Sequence, residues 1–457
     1  MAVTIELVLE EYGVELSALA LNASPILALD MPLSTPEMSM AQAERIGDGD
    51  VQSPSTWRST TESINLLITG ANAGAVKENV NAIEAYLYAA RDARDGFSPR
   101  RVFLRVQFDH DTTKWRSQII SGQLVMVRGT DQIWRKHVEA ALILTRRYFW
   151  EDNTERSIAL TSRATTTATT GGVTIHNTSG AGSTGNWFKA TSGQISGTIP
   201  APVKITIRNA SGDDRYAQSV YLGNYALLGD PEVDVALEAT SGTWASSKNL
   251  VAGAETAYTW STPLPTALLT AAGRRYMRAL VVWGTEPTVD TLIRGKTQFD
   301  DGGYLDVVVG EQLRANGAVL LDLGAFPLLA GGLPQLPSTG MRFSITTEAV
   351  SDQTVTLDWL MLFPAGPGTF RRLRALDLST RLYESETLVD DGIDGNVYVI
   401  NAAGTGTDPW FRGYGSPLHV FPGRTQLFRM LIQGQTAMQT GTQYTARAYY
   451  RPRRLTF

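Results

Sequence analysis

Few groupings in this sequence have the spacing that chemistry demands. Gly295-Lys296-Thr297 has the ending of a phosphate-binding loop, but the glycine required five positions earlier is Asp290, and the loop cannot form without it. No Gly-x-Ser-x-Gly pentapeptide is present for a nucleophile elbow. The glycine-rich run from Gly404 to Gly415 contains Pro409 and Trp410 and leads into no helical pattern, which excludes a dinucleotide fingerprint. Asp390, Asp391 and Asp394, with Gly395 and Asn396, have the oxygen-rich look of a calcium loop, and Asp48 with Asp50 forms a smaller acidic pair. Position twelve from Asp390 is Asn401, where such a loop closes on glutamate, so turn-forming acids at a hairpin tip are the competing reading. Asp300, Asp301, Asp306 and Glu311 offer carboxylate pairs for glycoside hydrolysis, but spacing in a chain does not set the separation that reaction needs.

Absent residue types exclude more. The chain has no cysteine, which removes disulfides, thiolate metal sites, iron–sulfur clusters and cysteine nucleophiles. His110, His137, His176 and His419 are its four histidines and are too scattered for a local metal motif. Neither a cofactor, a metal site nor an enzymatic activity is therefore expected. Aromatic rings are the better lead: Trp187, Trp244, Trp260, Trp283 and Tyr304 lie in or beside loops and strand ends, where exposed rings form sugar platforms. The bland reading is that they fill a core, as the alternating Trp359 is expected to do.

Charge is distributed unevenly. No Lys or Arg precedes Arg45, whereas the region after Phe370 holds eleven arginines, no lysine and seven acids. The acids Glu6, Glu10, Glu11, Asp48 and Asp50 and the terminal Arg451, Arg453 and Arg454 would suit contact between copies, because guanidinium forks pair well with carboxylates at interfaces. Two solvated faces would give the same pattern. A net charge of −5 argues against a general nucleic-acid binder. No run has the length and purity of a membrane span, and Glu6, Glu10 and Glu11 stand where a signal peptide is basic and apolar, so a soluble protein made in a cytoplasm is expected.

These residues need elements to position them. Ile64, Leu66 and Ile68 alternate as on a strand; then Val76, Val80, Ile83, Leu87 and Ala90 recur at spacings of three and four, the stripe of an amphipathic helix ending near Asp95-Gly96. Val102 to Phe108, Trp115 to Val127 with a break at Ser121-Gly122, and Val138 to Leu144 supply a sheet for that helix. Residues 1–160 thus form one domain, with an opening strand from Val3 to Leu9 and an extended loop over 30–57. Residues 161–194, rich in Thr, Ser and Gly, read as a linker. Short alternating runs over 195–364 indicate a β-sandwich, and 365–457 reads as a hairpin-rich end with a turn at Pro422-Gly423. The fold class is mainly β with one prominent α-helix.

The order of these parts resembles the distal tail proteins of long-tailed bacteriophages. The likeness is carried by a strand-helix-strand domain, a polar boundary, a jelly-roll-like module with TVTLDWLMLFP, and a terminal PLHVFPGRTQLF. Arg424 and Thr425 stand where asparagine often follows the turn, and the middle region is large. The resemblance implies a tail-tube-like belt domain that forms a ring, usually a hexamer, joining the tail tube to tip or hub proteins. It also implies a galectin-like β-sandwich facing outward, in some members toward host polysaccharide, and a place in the virion tail. The alternatives from other classes are a carbohydrate-binding adhesin and a polysaccharide-degrading enzyme.

Overall fold

A computed structural model describes residues 3–30, 34–36, 38–39, 42–44, 50–52, 56–126, 136–177, 186–210, 216–227, 236–238, 248–259, 276–300, 304–315, 320–327, 341–376, 381–405, 407–408, 411–434 and 442–456. Among these residues it is mainly β with one α-helix, and its contacts divide the chain into two units. The first comprises residues 1–156, 197–199 and 451–457; the second comprises 157–196 and 200–450.

In the first unit, β1 (Val3–Glu11), β2 (Val14–Ala20), β3 (Ile26–Ala28) and β4 (Thr60–Thr69) precede α1 (Ala73–Arg94). β5 (Arg100–Phe108), β6 (Trp115–Met126), β7 (His137–Arg146) and β8 (Trp150–Asp152) follow it. The strands run in the order β2-β1-β5-β6-β7-β4-β3, antiparallel throughout. The helix starts where Asn72 accepts the Ala75 N–H at 2.9 Å, and Arg91 and Arg94 place positive charge in its last turn, where the helix dipole favours it. Its buried residues are Val76, Val80, Ile83, Leu87 and Ala90, the five positions of the predicted stripe. They pack with Ile64, Leu66, Ile68, Leu104, Val106, Leu142 and Leu144 in one core. The expected break at Ser121-Gly122 is a register shift within a continuous β6, and a Cβ at Gly122 would lie 2.8 Å from both Leu144 and Leu87 side chains. The missing side chain lets helix and sheet approach.

The most deeply buried ion pair of this unit, among the described residues, joins Arg146 and Glu62. Arg146 Nη2 is 2.6 Å from Glu62 Oε1, with both side chains at most 1% exposed, and the guanidinium stacks 4.4 Å from the Trp150 ring centre. Ser34 completes it: its N–H donates to both Glu62 oxygens at 3.1 and 3.0 Å, and its carbonyl accepts from Arg146 at 3.0 Å. A buried pair persists only when its remaining donors and acceptors are filled, so this contact fixes where the 30–57 segment begins.

In the second unit, two sheets enclose a core. β9 (Val173–Asn177), β10 (Trp187–Ala190), β11 (Ala201–Asn209) and β12 (Ser219–Asn224) come first along the chain. Six strands between residues 276 and 364 follow: β13 (Tyr276–Thr285), β14 (Thr291–Asp300), β15 (Tyr304–Ala315), β16 (Leu320–Pro327), β17 (Met341–Ala349) and β18 (Gln353–Pro364). Then come β19 (Phe370–Ala375), β20 (Thr387–Asp391), β21 (Asn396–Ile400), β22 (Phe411–Tyr414), β23 (Gln426–Gln433) and β24 (Thr442–Tyr450). One sheet runs β24-β11-β20-β21, with β9 also on β24; the other runs β10-β23-β12-β19-β22. Val203, Ile205 and Ile207 meet Phe188 and Phe428 in the core, where the two rings stack at 4.9 Å.

The strands between β12 and β19 form separate sheets, one containing β18-β13-β16 and the other β17-β14-β15. Since β12 and β19 are hydrogen-bonded neighbours, from Ser219 opposite Arg374 to Gly223 opposite Phe370, this whole segment is inserted into a hairpin connection. Phe363 seals the root, 6.2 Å from the Tyr225 ring and 5.6 Å from Phe370, and a Cβ on Gly223 would strike it at 2.4 Å.

A linear division at 161, 195 and 365 does not follow these sheets. Residues 161–194 contribute β9 and β10 rather than a linker, and the strands after 365 complete the sandwich begun before 225. Alternation marks a strand but not its partner. The strands flanking Pro422-Gly423 are likewise no hairpin: His419–Val420 pairs with β11, whereas β23 pairs with β10 and β12. Gln426 closes that turn instead, its Oε1 accepting the Phe421 N–H at 3.1 Å and its Nε2 donating to the Phe421 carbonyl at 2.8 Å.

Asp390, on β20, is 1% exposed and receives two hydrogen bonds from Arg371, at 3.1 and 3.2 Å. Burial outweighs the guanidinium and pushes its pKa from 3.8 up to about 6. A raised folded-state pKa means the stability this carboxyl contributes is full below 3.8 and lost as pH rises through about 6. Carboxyl-carbon NMR is expected to show one aspartate resonance titrating near pH 6 that is missing in Asp390→Asn; a midpoint near the ordinary value would contradict the burial.

Candidate assembly interface

Pairing of β1 with β5 sets Glu6 opposite Arg105, Val8 opposite Phe103 and Glu10 opposite Arg101. These positions alternate with Ile5, Leu7, Val102 and Leu104, which belong to the helix-side core, so they occupy the opposite face of the sheet. There they form a ladder of charges. Arg105 reaches Glu6 at 2.7 Å and Glu15 at 2.5 Å; Arg116 contacts Glu10 and lies 3.3 Å from Glu151; Arg453 reaches Glu151 at 3.0 Å. Burial works against the charge on Arg105, but the hydrogen bonds with Glu15 and Glu6 outweigh it and its pKa is raised. The same contact from Arg105 lowers the Glu15 pKa.

The chain's end is held by the same unit. The strand Arg453–Arg454 pairs with β8, setting Trp150 opposite Arg454 and Glu151 opposite Arg453. The Arg453 guanidinium sits 3.9 Å from the Phe149 ring centre and that of Arg454 3.5 Å from Trp115. Asp111 is 3.7 Å from Arg454, and hydrogen bonds from Trp115 and the Thr113 backbone hold its pKa low.

Most of the charges offered by the sequence for a neighbouring copy therefore have partners within one chain: Glu6 with Arg105, Glu10 with Arg116, Glu11 with Arg100 at 3.3 Å, Arg453 with Glu151, and Arg454 with Asp111. Arg451 differs, since its Nε and Nη1 are buried with no hydrogen-bond partner among the described residues. Asp50 begins a short strand paired with Gln42–Glu44, its side chain lying outside the described residues, as does all of Asp48. Sequence reasoning missed Arg105, Arg116, Glu15 and Glu151. Arg105, Arg116 and Glu151 occupy the polar phase of strands with one apolar face, and alternation does not reveal that their polar face is buried as well; Glu15 lies on the exposed edge strand β2.

The tip of the β1–β2 hairpin is different in character. Tyr12 and Gly13 have φ of 50° and 79°, the left-handed pair that a two-residue hairpin turn requires. Tyr12, Val14 and Leu16 are 72%, 63% and 48% exposed, and among the described residues no strand pairs with the outer edge of β2.

The candidate sugar platform is dispersed. Trp187 on β10 is half-buried. Trp283 on β13 is 2% exposed, a correction to its reading as a platform, because a ring inside the sheet packing offers no face to a sugar. Tyr304 opens β15 with its side chain outside the described residues, and Trp244 and Trp260 lie outside them altogether. The acidic run ends in a turn: Asp391 accepts the Ile393 and Asp394 N–H groups and pairs with Lys204 at 3.2 Å. Among the described residues no three acids or histidines gather as a metal site would require, and no helix is long and apolar enough to cross a membrane.

Two phage protein structures align with nearly the whole chain. The Dit protein of phage SPP1, described as a paradigm of the hub adsorption apparatus in phages infecting Gram-positive bacteria, is 6% identical, with a TM-score of 0.32 and 98% of each chain covered. A chain of the phage P2 baseplate in its activated conformation with calcium is 7% identical, with a TM-score of 0.32, covering 99% of this chain and 98% of its own. No protein-family model and no curated protein matches the sequence.

The Glu10–Arg116 pair, with side chains 7% and 4% exposed, is shielded from salt. A double-mutant cycle with Glu10→Gln and Arg116→Met in urea unfolding is expected to give a coupling of about 2 kcal/mol. That coupling should persist in 1 M salt, roughly a 3 Å screening length; its disappearance there would place the pair in solvent.

Proposed function

We propose that this chain is a structural subunit of the tail tip of a long-tailed phage. It assembles through its first unit into a homo-oligomeric ring, a hexamer by the family resemblance, that joins the tail tube to tip or baseplate proteins. The observation that carries self-association is the β1–β2 hairpin: an edge strand with Tyr12, Val14 and Leu16 exposed is a surface that proteins ordinarily cover or charge. The order of parts in the sequence supports the tail assignment, and the absence of any grouping with catalytic spacing favours a mechanical role over an enzymatic one. Placing a charge on the edge is the direct test. Leu16→Lys is expected to shift the protein from ring to monomer in light scattering with its circular-dichroism spectrum unchanged, because the residue is 48% exposed; a wild-type chain that stays monomeric at high concentration would refute the ring.

Contact with host polysaccharide through the second unit is the finer part of this reading. Trp187 supports it as the one proposed platform residue whose ring is described and only half-buried. On a glycan array of host cell-wall fragments, Trp187→Ala is expected to abolish binding by the ring, and undiminished binding would remove this residue from the role.

A further inference from the structure

In the second unit, the sheet β10-β23-β12-β19-β22 ends at β22, which pairs with β19 on one side and, among the described residues, with no strand on the other. Leu373, Ala375 and Phe411 turn one face of these last two strands into the sandwich core. Arg372, Arg374, Arg412 and Tyr414 alternate with them and so lie on the opposite face, where the register sets Arg374 directly against Arg412 and Arg372 against Tyr414. Arg374 and Arg412 are exposed, Tyr414 is 52% exposed, and Leu376, just past the end of β19, is 47% exposed. Arg372 is half-buried, its guanidinium 5.1 Å from the ring centre of Tyr221 on β12. Among the described residues the charge on this face is uncompensated. Arg371, on the core side, pairs with Asp390 at 3.1 Å, but Arg372, Arg374 and Arg412 have no carboxylate partner. Asp322, whose charge acts on Tyr221 together with those of Arg372 and Arg374, is held by Arg278 at 2.6 Å.

We infer that this edge docks an acidic, extended segment of a partner protein, added as a strand along β22 with a carboxylate opposite Arg412 and an apolar side chain two residues away opposite Tyr414. Like charges directly opposite across a ladder are destabilising, so the Arg374–Arg412 pair gains from a carboxylate beside it. A lone Arg412 would be enough to keep an edge from pairing indiscriminately, but Arg374 lies on the inner strand and guards no edge. Strand addition draws affinity from main-chain hydrogen bonds and specificity from alternate side chains, and the step from Arg412 to Tyr414 is one such alternation. The composition suits a protein partner, because Arg and Tyr are enriched at protein interfaces and a guanidinium fork matches a carboxylate with two parallel hydrogen bonds.

Fluorescence anisotropy of labelled heptapeptides mixed with the protein tests this. Ser-Thr-Glu-Thr-Val-Thr-Ser carries its acid and its valine on one face of a strand. It is expected to bind at least about tenfold more tightly than its Lys-for-Glu counterpart and than Ser-Thr-Thr-Glu-Val-Thr-Ser, which has the same composition but sets the two on opposite faces. Of two versions N-methylated at alternate backbone nitrogens, one should lose binding, because only one row of N–H groups meets the edge. Arg412→Glu should invert the preference and make the lysine peptide the tighter, and the peptide series alone decides the matter if that variant does not fold. Equal binding of the two glutamate peptides, binding retained by both methylated versions, no binding in the series, or an unchanged preference in folded Arg412→Glu would each overturn the assignment. Displacement of the peptide by polygalacturonate at equal carboxylate concentration would overturn it in favour of an anionic glycan.

Discussion

A chain that leaves its first unit after Arg156, touches it again at 197–199 and returns to it at Arg451 must hold distant stretches side by side. The backbone contribution is small, a ladder of two residue pairs between β8 and Arg453–Arg454. Side chains reinforce it. Two guanidinium groups lie over the rings of Phe149 and Trp115, and Glu151 ties Arg453 into the ladder that continues through Arg116 to Glu10. Lysine could not do this equally well: a planar, weakly hydrated cation can stack on a ring and pair with a carboxylate at once, whereas an ammonium keeps its water.

The same topological logic recurs in the second unit. An insertion is tolerated when its two ends are neighbours in the host, because closing the connection then requires no rearrangement of the host sheet. β12 and β19 satisfy this by being hydrogen-bonded to each other, and Phe363 between Tyr225 and Phe370 packs the inserted segment's exit against the host strands. The close approach depends on Gly223, where any side chain would meet the Phe363 ring. Charge inside this sandwich is handled less completely: Asp390 Oδ2 is buried without a partner despite Arg371 beside it, and its carboxyl therefore holds its proton to a higher pH.

The acid-rich start and arginine-rich end of the sequence were the obvious candidates for contact between copies, yet their charges are largely spent within one chain. This changes what an interface would be made of. Buried pairs such as Glu10–Arg116 give up hydration and are repaid only by geometry and further hydrogen bonds, so they specify internal register more than they attract a partner. The edge at Tyr12, Val14 and Leu16, exposed and unpaired among the described residues, is the surface that gains from being covered.

The sequence by itself determined the helix, down to the five residues it buries, because a period of three to four over Val76 to Ala90 admits one face and a stop near Asp95-Gly96 bounds it, while the cap at Asn72 came from the structure. It determined the apolar phase of β1, β4, β5 and β7 for the same reason, and it excluded thiol chemistry outright through the absence of cysteine. Only the tertiary structure decided which strands meet. That β23 joins β10 and β12, that β19 closes onto β12 across the insertion, and that Arg453 reaches Glu151 are pairings across hundreds of residues, and periodicity carries no information about partners. The polar phase of β1 and β5 was equally illegible. Glutamate and arginine on an alternating strand look the same whether water or each other completes their hydrogen bonds, and only the packed chain settles which.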